Sequence, residues 1–332
     1  MKRLRIHIYP PYTGTKADPG NIYSKLLWKS FENDDKFSLA YRRLLGKPLW
    51  DLAINVDADV FIFSWIEGFA INFTGKVKLL YLFLFICTVR ILRKKVVWIL
   101  HNKHPHSRKT ISSDIAMKLL AKLTSHVITH ASDGLGYFEK SLGGKHGKCF
   151  YIPHPVYTDK IFESKGIKWD FIIWGEVSRR KGIMEFLKFA SSSPYFVDKR
   201  ILICGRCKDN EYSKQISELC RKNFVYENAF IPDLKLQDYI LSSRCILFTY
   251  HSDSVLSSGA LVYSLNFCKP ILAPAVGAFR DMDGTVTCYN SFEDIPSLSL
   301  KFEEDRLKEY IYSNTWDRFP AKLLRTLKPT EG

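Results

Sequence analysis

The sequence has no apolar run long enough to cross a bilayer. Its longest run, LLYLFLFICTV at residues 79–89, has 11 residues and ends at Arg90, whereas a spanning helix needs roughly 20. The first residues, MKRLRIHIYPPY, lack the apolar core and the small-residue cleavage site of a signal peptide. We therefore expect a cytoplasmic chain whose first segment is a strand.

Cysteine patterns typical of metal or redox sites are also scarce. The chain has eight cysteines, and only the CGRC segment at residues 204–207 brings two of them close. A zinc site needs a second such pair, and a redox motif needs a helix that begins at the first cysteine. Neither pattern is evident, so we expect free thiols, a reducing compartment and no metal.

Acidic residues are few in the N-terminal half. Residues 1–150 contain 24 Lys and Arg against 11 Asp and Glu, so they carry +13 of the net charge of +15. General solubility does not explain such one-sidedness, which indicates an anionic partner such as phospholipid, a polyprenyl-diphosphate acceptor or nucleic acid. No RNA-recognition, zinc-finger or helix-turn-helix signature is present, so we expect no nucleic acid.

The apolar run at 79–89 is followed directly by a basic cluster: Arg90, Arg93, Lys94 and Lys95. One interpretation is a buried helix with a solvated basic end. The other is a helix that lies in the membrane interface, where the cations contact anionic lipid. The interfacial interpretation predicts that this protein is peripheral and attaches to the inner face of the plasma membrane through residues 76–95.

What the sequence does contain is a regular alternation of short apolar strands and helices. The first half predicts strands at 3–9, 59–65, 96–100 and 126–129, with helices at 22–31 and 112–123. The second half predicts strands at 170–174, 200–204, 223–230, 245–250 and 270–273, with helices at 234–242, 258–267 and 303–327. This alternation predicts an α/β fold with doubly wound parallel sheets.

The length of 332 residues predicts two domains. We place an acceptor- and membrane-facing domain at 1–156 and a donor-binding domain at 157–310. A C-terminal helix at 311–332 can cross back to the first domain.

Three segments of the second half suit a nucleotide diphosphate. GEVSRRKG at 175–182 follows a strand, and its cations match phosphate charge, although a solvated basic turn gives the same pattern. Ser257, Ser258 and Gly259 open a helix whose free N–H groups attract anions, although a serine cap does the same. Gly277 allows a tight turn near a ligand.

In order, WGEVSRRKG, ILICG, NAFIPDLKLQDYILSSRCILFTY and SSGALVYSLNFCKPILAPAVGAFRD resemble the donor domain of glycosyltransferase family 4 and its divergent relatives, over residues 171–281. The resemblance implies the GT-B fold, in which two Rossmann-like domains face each other across a cleft. The sequence departs from typical members, because Val255 and Tyr263 stand where two glutamates separated by seven residues are usual, and Cys268 replaces a glycine.

The resemblance also implies roles for individual residues. Lys181 and Arg180 would bind the donor diphosphate in the turn that begins at Gly175. The resemblance further implies that Phe230 and Ile231 contact the nucleobase and that Ser258 and Gly259 offer backbone N–H groups to the diphosphate. It places Gly277 and Ala278 near the donor sugar.

The N-terminal half supplies candidates for the acceptor side. HNKHPH at 101–106 follows the strand VVWIL, at the edge where a doubly wound sheet binds ligands. Histidine can act as a base or orient a hydroxyl, and a metal site or a structural loop are the alternatives. Similar enzymes carry His-Asn here, which implies that His101 and Asn102 are catalytic and leaves His106 to bind the acceptor.

Further acceptor-side candidates follow other strands of this half. His130 comes after the strand HVIT and is a further catalytic candidate, with a helix cap at Ser132 or Asp133 as the alternative use of this segment. Glu67 follows DVFIFSW and is the carboxylate candidate for a base if the enzyme inverts. Gly20 and Asn21 belong to a loop that can close over the acceptor.

These observations predict a hexosyltransferase. It moves a hexose from a nucleotide diphosphate sugar to a membrane-linked or glycan acceptor, in surface polysaccharide synthesis, with no cofactor besides the donor. The alternative is a non-catalytic protein that binds anionic lipid or nucleic acid.

Overall fold

The computed structural model describes residues 3–12, 21–43, 47, 49–71, 73–104, 110–163, 165–250, 255–282, 284–300 and 302–327. The chain forms two compact units. The first unit comprises Met1–Tyr157 together with Asn314–Gly332, and the second comprises Thr158–Ser313.

The first unit contains a six-stranded sheet in the order β2-β1-β3-β4-β5-β6, in which every pair is parallel. Its central strands read as continuous Val, Ile and Phe runs because helices cover both faces of the sheet. The strands are β1 (Leu4–Tyr9), β2 (Phe37–Leu39), β3 (Val60–Ser64), β4 (Lys95–Leu100), β5 (His126–Thr129) and β6 (Cys149–Tyr151).

The helices of the first unit are α1 (Ile22–Glu32), α2 (Phe73–Ile91), α3 (Ile111–Leu123), α4 (Asp133–Lys140) and α10 (Phe319–Leu327), with 3-10 helices at Trp50–Asn55, Ile66–Ile71 and Trp316–Arg318. From β3 to β6 the chain moves across the sheet in one direction, so right-handed crossovers place α2, α3 and α4 on one face. The connection from β1 to β2 runs the other way and places α1 on the opposite face, where it contacts α10.

The second unit has a six-stranded parallel sheet in the order β12-β11-β10-β7-β8-β9. Its strands are β7 (Trp169–Trp174), β8 (Ile201–Cys204), β9 (Phe224–Glu227), β10 (Ser243–Leu247), β11 (Ile271–Pro274) and β12 (Val286–Tyr289). Its helices are α5 (Ile183–Ser192), α6 (Asn210–Leu219), α7 (Asp233–Leu241), α8 (Gly259–Leu265) and α9 (Glu304–Ser313), with 3-10 helices at Arg179–Lys181, Pro194–Phe196, Gly277–Phe279 and Phe292–Ser297. The prediction of two doubly wound parallel sheets is confirmed.

The prediction of one helix over 303–327 is wrong. α9 ends at Ser313, where the chain passes from the second unit to the first, and α10 begins at Phe319. The break is held by Asn314, whose carbonyl oxygen accepts a hydrogen bond from Val156 N at 2.8 Å and whose Oδ1 accepts one from Lys322 Nζ at 2.6 Å. Trp316, Phe319 and Leu323 then pack into the apolar core of the first unit.

Candidate functional site

The donor candidates of the second unit lie at the switch point of its sheet. From β7 the chain continues to β8 and β9 on one side, and then returns to β10 on the other side of β7. Doubly wound sheets bind ligands outside the carboxyl ends of the strands at such a point. The turn after β7 and the segment after β10 are therefore neighbours, although 74 residues of chain separate Trp174 from Thr249.

Gly175 begins the turn after β7 in a backbone conformation that favours glycine, with φ of +90°. A Cβ at this position would come within 3.0 Å of Lys181 Nζ. The glycine therefore leaves space for the ammonium group of Lys181 at the end of the strand.

Lys181 is only 6% exposed, and its Nζ donates to the carbonyl oxygen of Trp174 at 3.1 Å. Burial lowers the pKa of this amine, while the Tyr250 ring lies 5.8 Å from Nζ. An ammonium has three donors, and among the described residues Trp174 accepts one. Two donors thus remain for the oxygens of an anion, which would compensate the lost hydration.

The two arginines of the turn have different surroundings. Arg179 forms an ion pair with Asp209 at 3.0 Å, and its guanidinium lies over the Tyr212 ring at 4.9 Å. Asp209 itself caps α6 by accepting from Tyr212 N, so Arg179 fastens the turn to that helix. Arg180 is exposed beside Lys181 and is the arginine that stays a candidate for the diphosphate.

Ser258 is the N-cap of α8, and its Oγ accepts from Leu261 N at 3.2 Å. The side chain thus satisfies its own helix, and the backbone N–H groups of the first turn, starting at Gly259, remain the candidate anion donors. Ser257 is half-buried just before the cap. Because α8 has only seven residues, its dipole is weak and local donors matter more than the helix.

Trp174 joins α8 to the Lys181 turn. Its carbonyl oxygen accepts from Lys181, its Nε1 donates to Ser264 Oγ at 3.1 Å, and its ring meets Tyr263 at 5.3 Å between centroids. The hydroxyl of Thr249 adds a second link by donating to the Lys181 carbonyl oxygen at 2.6 Å. The structure therefore brings the first two donor segments together.

The third donor segment also reaches this place. Gly277 has φ of +51°, and a Cβ there would lie 2.5 Å from the carbonyl oxygen of Val255. Ala278 N donates to Leu256 O at 2.8 Å, which ties the turn to the residues just before Ser257. The Phe279 ring completes the contact at 5.9 Å from the Tyr250 ring.

The segment predicted to meet the nucleobase lies before α7. Phe230 is 77% exposed, whereas Ile231 is buried. An exposed aromatic ring next to a buried anchor is available for stacking on a base. Its contact with a nucleobase stays a prediction.

In the first unit, His101 is held between two aromatic rings at the end of β4. The Trp65 ring stacks on the imidazole at 4.5 Å with an interplanar angle of 10°, and the Tyr23 ring meets it edge-on at 4.7 Å. Trp65 has φ of +55°, which is unusual for a bulky residue and typical of functional sites. Neither partner could be identified from the sequence, because α1, β3 and β4 meet only in the folded sheet.

His130 positions Tyr23. Its Nδ1 contacts the carbonyl oxygen of Ile152 at 2.7 Å, and because a carbonyl only accepts, this nitrogen carries the proton. The Nε2 atom then accepts from the Tyr23 hydroxyl at 2.8 Å. Burial and the neighbouring His154 lower the pKa of His130 to about 3. This imidazole is therefore neutral and engaged, which suits a positioning role better than proton transfer.

Glu67 lies on the other face of the same sheet. It is 2% exposed, and Trp98 Nε1 donates to its Oε2 at 3.4 Å. Trp98 and His101 are three residues apart across the end of β4, so their side chains leave the strand on opposite faces. Burial raises the pKa of Glu67 to about 7, a value that suits a base, but its role stays a prediction.

Two of the remaining acceptor candidates, Gly20 and His106, lie outside the described residues. Asn21 caps α1, because its Oδ1 accepts from Tyr23 N at 2.9 Å and from Ser24 N at 3.3 Å. Asn102 is buried directly after His101. Among the described residues, no three His, Cys, Asp or Glu side chains converge as metal ligands.

The two sheets, each with helices on both faces, define the GT-B class of folds. No protein-family model matches the chain, and no curated protein matches it in sequence.

Similar solved structures include Anabaena Alr3699/HepE in complex with UDP and glucose, at 12% identity and a TM-score of 0.63, with coverage of 98% of this chain and 100% of that one. The lipopolysaccharide outer core galactosyltransferase WaaB has 12% identity, a TM-score of 0.61 and the same coverage. An E. coli structure described as trehalose-6-phosphate bound with UDP-2-fluoro glucose has 10% identity and a TM-score of 0.64, with coverage of 98% and 99%. At these identities the likeness establishes the fold.

Proposed function

We propose that this protein is a glycosyltransferase that takes a hexose from a nucleotide diphosphate sugar. The observation that carries the proposal is the meeting of Lys181, the start of α8 and the Gly277 turn at one switch point. A buried ammonium beside backbone donors suits a diphosphate, because it neutralises charge on the leaving group. Similar folds hold UDP or UDP-sugars, which supports a uridine nucleotide as the donor.

The proposed reaction needs no cofactor besides the donor. An acceptor hydroxyl attacks the anomeric carbon, the bond from that carbon to the diphosphate oxygen breaks, and the hydroxyl proton passes to a base. Lys181 and Arg180 stabilise the departing diphosphate, and Gly277 with Ala278 lies beside the sugar. His101 and Asn102 orient the acceptor hydroxyl.

The acceptor we propose is a membrane-linked or glycan molecule, with a role in surface polysaccharide synthesis. The support is the charge of the first 150 residues, +13 in total, which suits an anionic lipid carrier or membrane. In this proposal residues 76–95 meet the inner face of the plasma membrane. No described helix combines the length and the apolar character that a membrane crossing requires.

The test is the substitution Lys181→Met, which keeps the length of the side chain and removes its charge. We expect sugar transfer to fall by about 10²–10³, and UDP to lose its stabilising effect on the variant in a thermal-shift assay. Lys188→Met is the matched control, because Lys188 is exposed on α5 in the same unit. Equal turnover and equal UDP stabilisation in both variants would refute the donor site.

A further inference from the structure

Two neighbouring helices of the first unit expose apolar side chains that a folded core would normally bury. On α2, Val77, Leu80, Leu84 and Ile91 are 49%, 60%, 61% and 81% exposed. On α3, Ile111, Ile115 and Leu119 are 80%, 54% and 37% exposed. Single exposed apolar residues are ordinary, but rows of them on adjacent helices mark an interaction surface.

Each row follows the period of its helix. On α2, positions 80, 84 and 91 follow one another at intervals of four and seven residues. On α3, positions 111, 115 and 119 follow at intervals of four. Each set therefore lies along one side of its helix. The opposite sides are buried, with Leu82, Phe85 and Ile86 on α2. Each helix is thus fixed to the sheet on one side and apolar on the other.

Both helices cover the same face of the sheet, and both rows lie on the side of the helix that faces away from it. α2 connects β3 to β4 and α3 connects β4 to β5, so right-handed crossovers place both on one face, where they contact each other. Packed helices lie about 8–10 Å apart. The exposed rows therefore form one continuous band, which we call the α2–α3 face.

The charge on the two helices is mostly positive. Together α2 and α3 carry five Lys and Arg and a single acidic residue, Asp114. Lys118 and Lys122 are exposed on the same side of α3 as the apolar row, and Lys76 and Arg90 are exposed on α2. Apolar side chains bordered by cations are complementary to an anionic bilayer, where the chains enter the interface and the cations meet headgroups.

We propose that the α2–α3 face docks on an anionic phospholipid bilayer, with Ile111, Ile115 and Leu119 of α3 entering the interface beside α2. The inference extends the membrane contact proposed above from residues 76–95 to a second helix, and it does not depend on sugar transfer. An acidic, polar protein surface could match the cations. It would leave the seven exposed apolar side chains without an apolar environment, whereas a bilayer matches both.

The experiment measures cosedimentation of the whole protein with phosphatidylcholine vesicles, with and without phosphatidylglycerol. We expect binding that requires phosphatidylglycerol, that falls at least about tenfold in the double variant Ile111→Glu and Ile115→Glu, and that falls less in Lys118→Gln with Lys122→Gln. The matched control is Val197→Glu, because Val197 is 56% exposed but lies in the second unit.

A second measurement uses the exposed Cys87 of α2. An environment-sensitive dye on this thiol should shift to the blue when anionic vesicles are added, and less so in the α3 double variant. UDP stabilisation in the thermal-shift assay reports separately on the donor site and should be unchanged in every α3 variant.

Three outcomes would overturn the proposal. The first is full vesicle binding by the α3 double variant when Leu80→Glu with Leu84→Glu abolishes binding, which would leave α2 acting alone. The second is no vesicle binding by the unmodified protein. The third is a self-associated protein that Ile111→Glu converts to monomer with no change in vesicle binding, which would make the face a contact between copies of this chain.

Discussion

Trp174 connects the predicted donor-binding segments through its carbonyl oxygen, its indole N–H and its ring. Its carbonyl oxygen holds Lys181, its indole N–H holds Ser264, and its ring packs on Tyr263. In the sequence Trp174 is only the last residue of an apolar strand, and nothing there indicates these contacts. The cationic turn was predictable because its residue types suit phosphate, whereas the residue that orients it was not.

The same limit applies to His101. Its position after a buried strand and its chemistry made it a candidate from the sequence. Its stacking on Trp65 and its contact with Tyr23 depend on tertiary packing of three elements. The hydrogen bonds of His130 to Tyr23 and Ile152 also appear only in the fold, and they suit a positioning role for this residue.

At the residue scale, Glu67→Gln should change how stability depends on pH. The carboxyl pKa is raised to about 7 in the folded state from 4.5. Between these values the folded state retains a proton that the unfolded state has lost, so the free energy of unfolding decreases as pH rises through that window. Glutamine stays neutral, and the variant should gain up to about 3 kcal/mol on the unmodified protein between pH 4.5 and pH 8.

Urea unfolding followed by fluorescence at both pH values measures this gain. Glu293→Gln is the control, because it makes the same substitution at an exposed position. A stability difference for Glu67→Gln that is the same at both pH values would contradict the raised pKa.

At the scale of elements, apolar runs located most strands, because strands buried on both faces need them. Three strands gave no such signal: β2, β6 and β12 are three or four residues long, with sequences FSL, CFY and VTCY. They lie at the edges of their sheets, where fewer apolar side chains are needed. The break between α9 and α10 is marked in the sequence by Pro320, the second residue of α10, because proline is tolerated in the first turn of a helix but not in its interior. The prediction of one continuous helix overlooked this signal.

The Gly277 turn provides a prediction at this scale. Gly277→Ala places a Cβ within 2.5 Å of Val255 O and 2.6 Å of Leu256 O, at φ of +51°. The turn must shift away from residues 255–256, at a cost of about 1–3 kcal/mol in unfolding free energy. Affinity for UDP measured by calorimetry should fall at least about tenfold, because the donor segments separate.

Gly166→Ala is the matched control for this substitution. A Cβ at Gly166 meets nothing within 4 Å, and the residue lies in the same unit. Unchanged UDP affinity in Gly277→Ala would show that this turn is not part of the donor site.

At the scale of the whole molecule, the C-terminal segment should be necessary for the first unit. Trp316, Phe319, Leu323 and Leu327 are at most 8% exposed. Burial of each such side chain stabilises by about 1.5–3 kcal/mol, and their sum approaches the roughly 5–15 kcal/mol of a typical domain. A chain that ends at Ser313 should therefore leave the first unit unfolded.

Limited proteolysis with mass spectrometry checks this expectation. The shortened chain should yield a resistant fragment from the second unit alone, whereas a chain that ends at Leu327 should yield fragments from both. A resistant first unit in the chain that ends at Ser313 would show that the segment is dispensable.

The hydrogen bond from Val156 to Asn314, at 2.8 Å, places the exit of the chain from the first unit next to its return. The second unit is thus an insertion whose two ends start side by side, the arrangement in which foreign domains are best accepted. The second unit can therefore be exchanged as a whole without breaking the chain elsewhere in the first unit. If the second unit binds the donor, as we propose, exchanging it should transfer donor preference and leave the first unit unchanged.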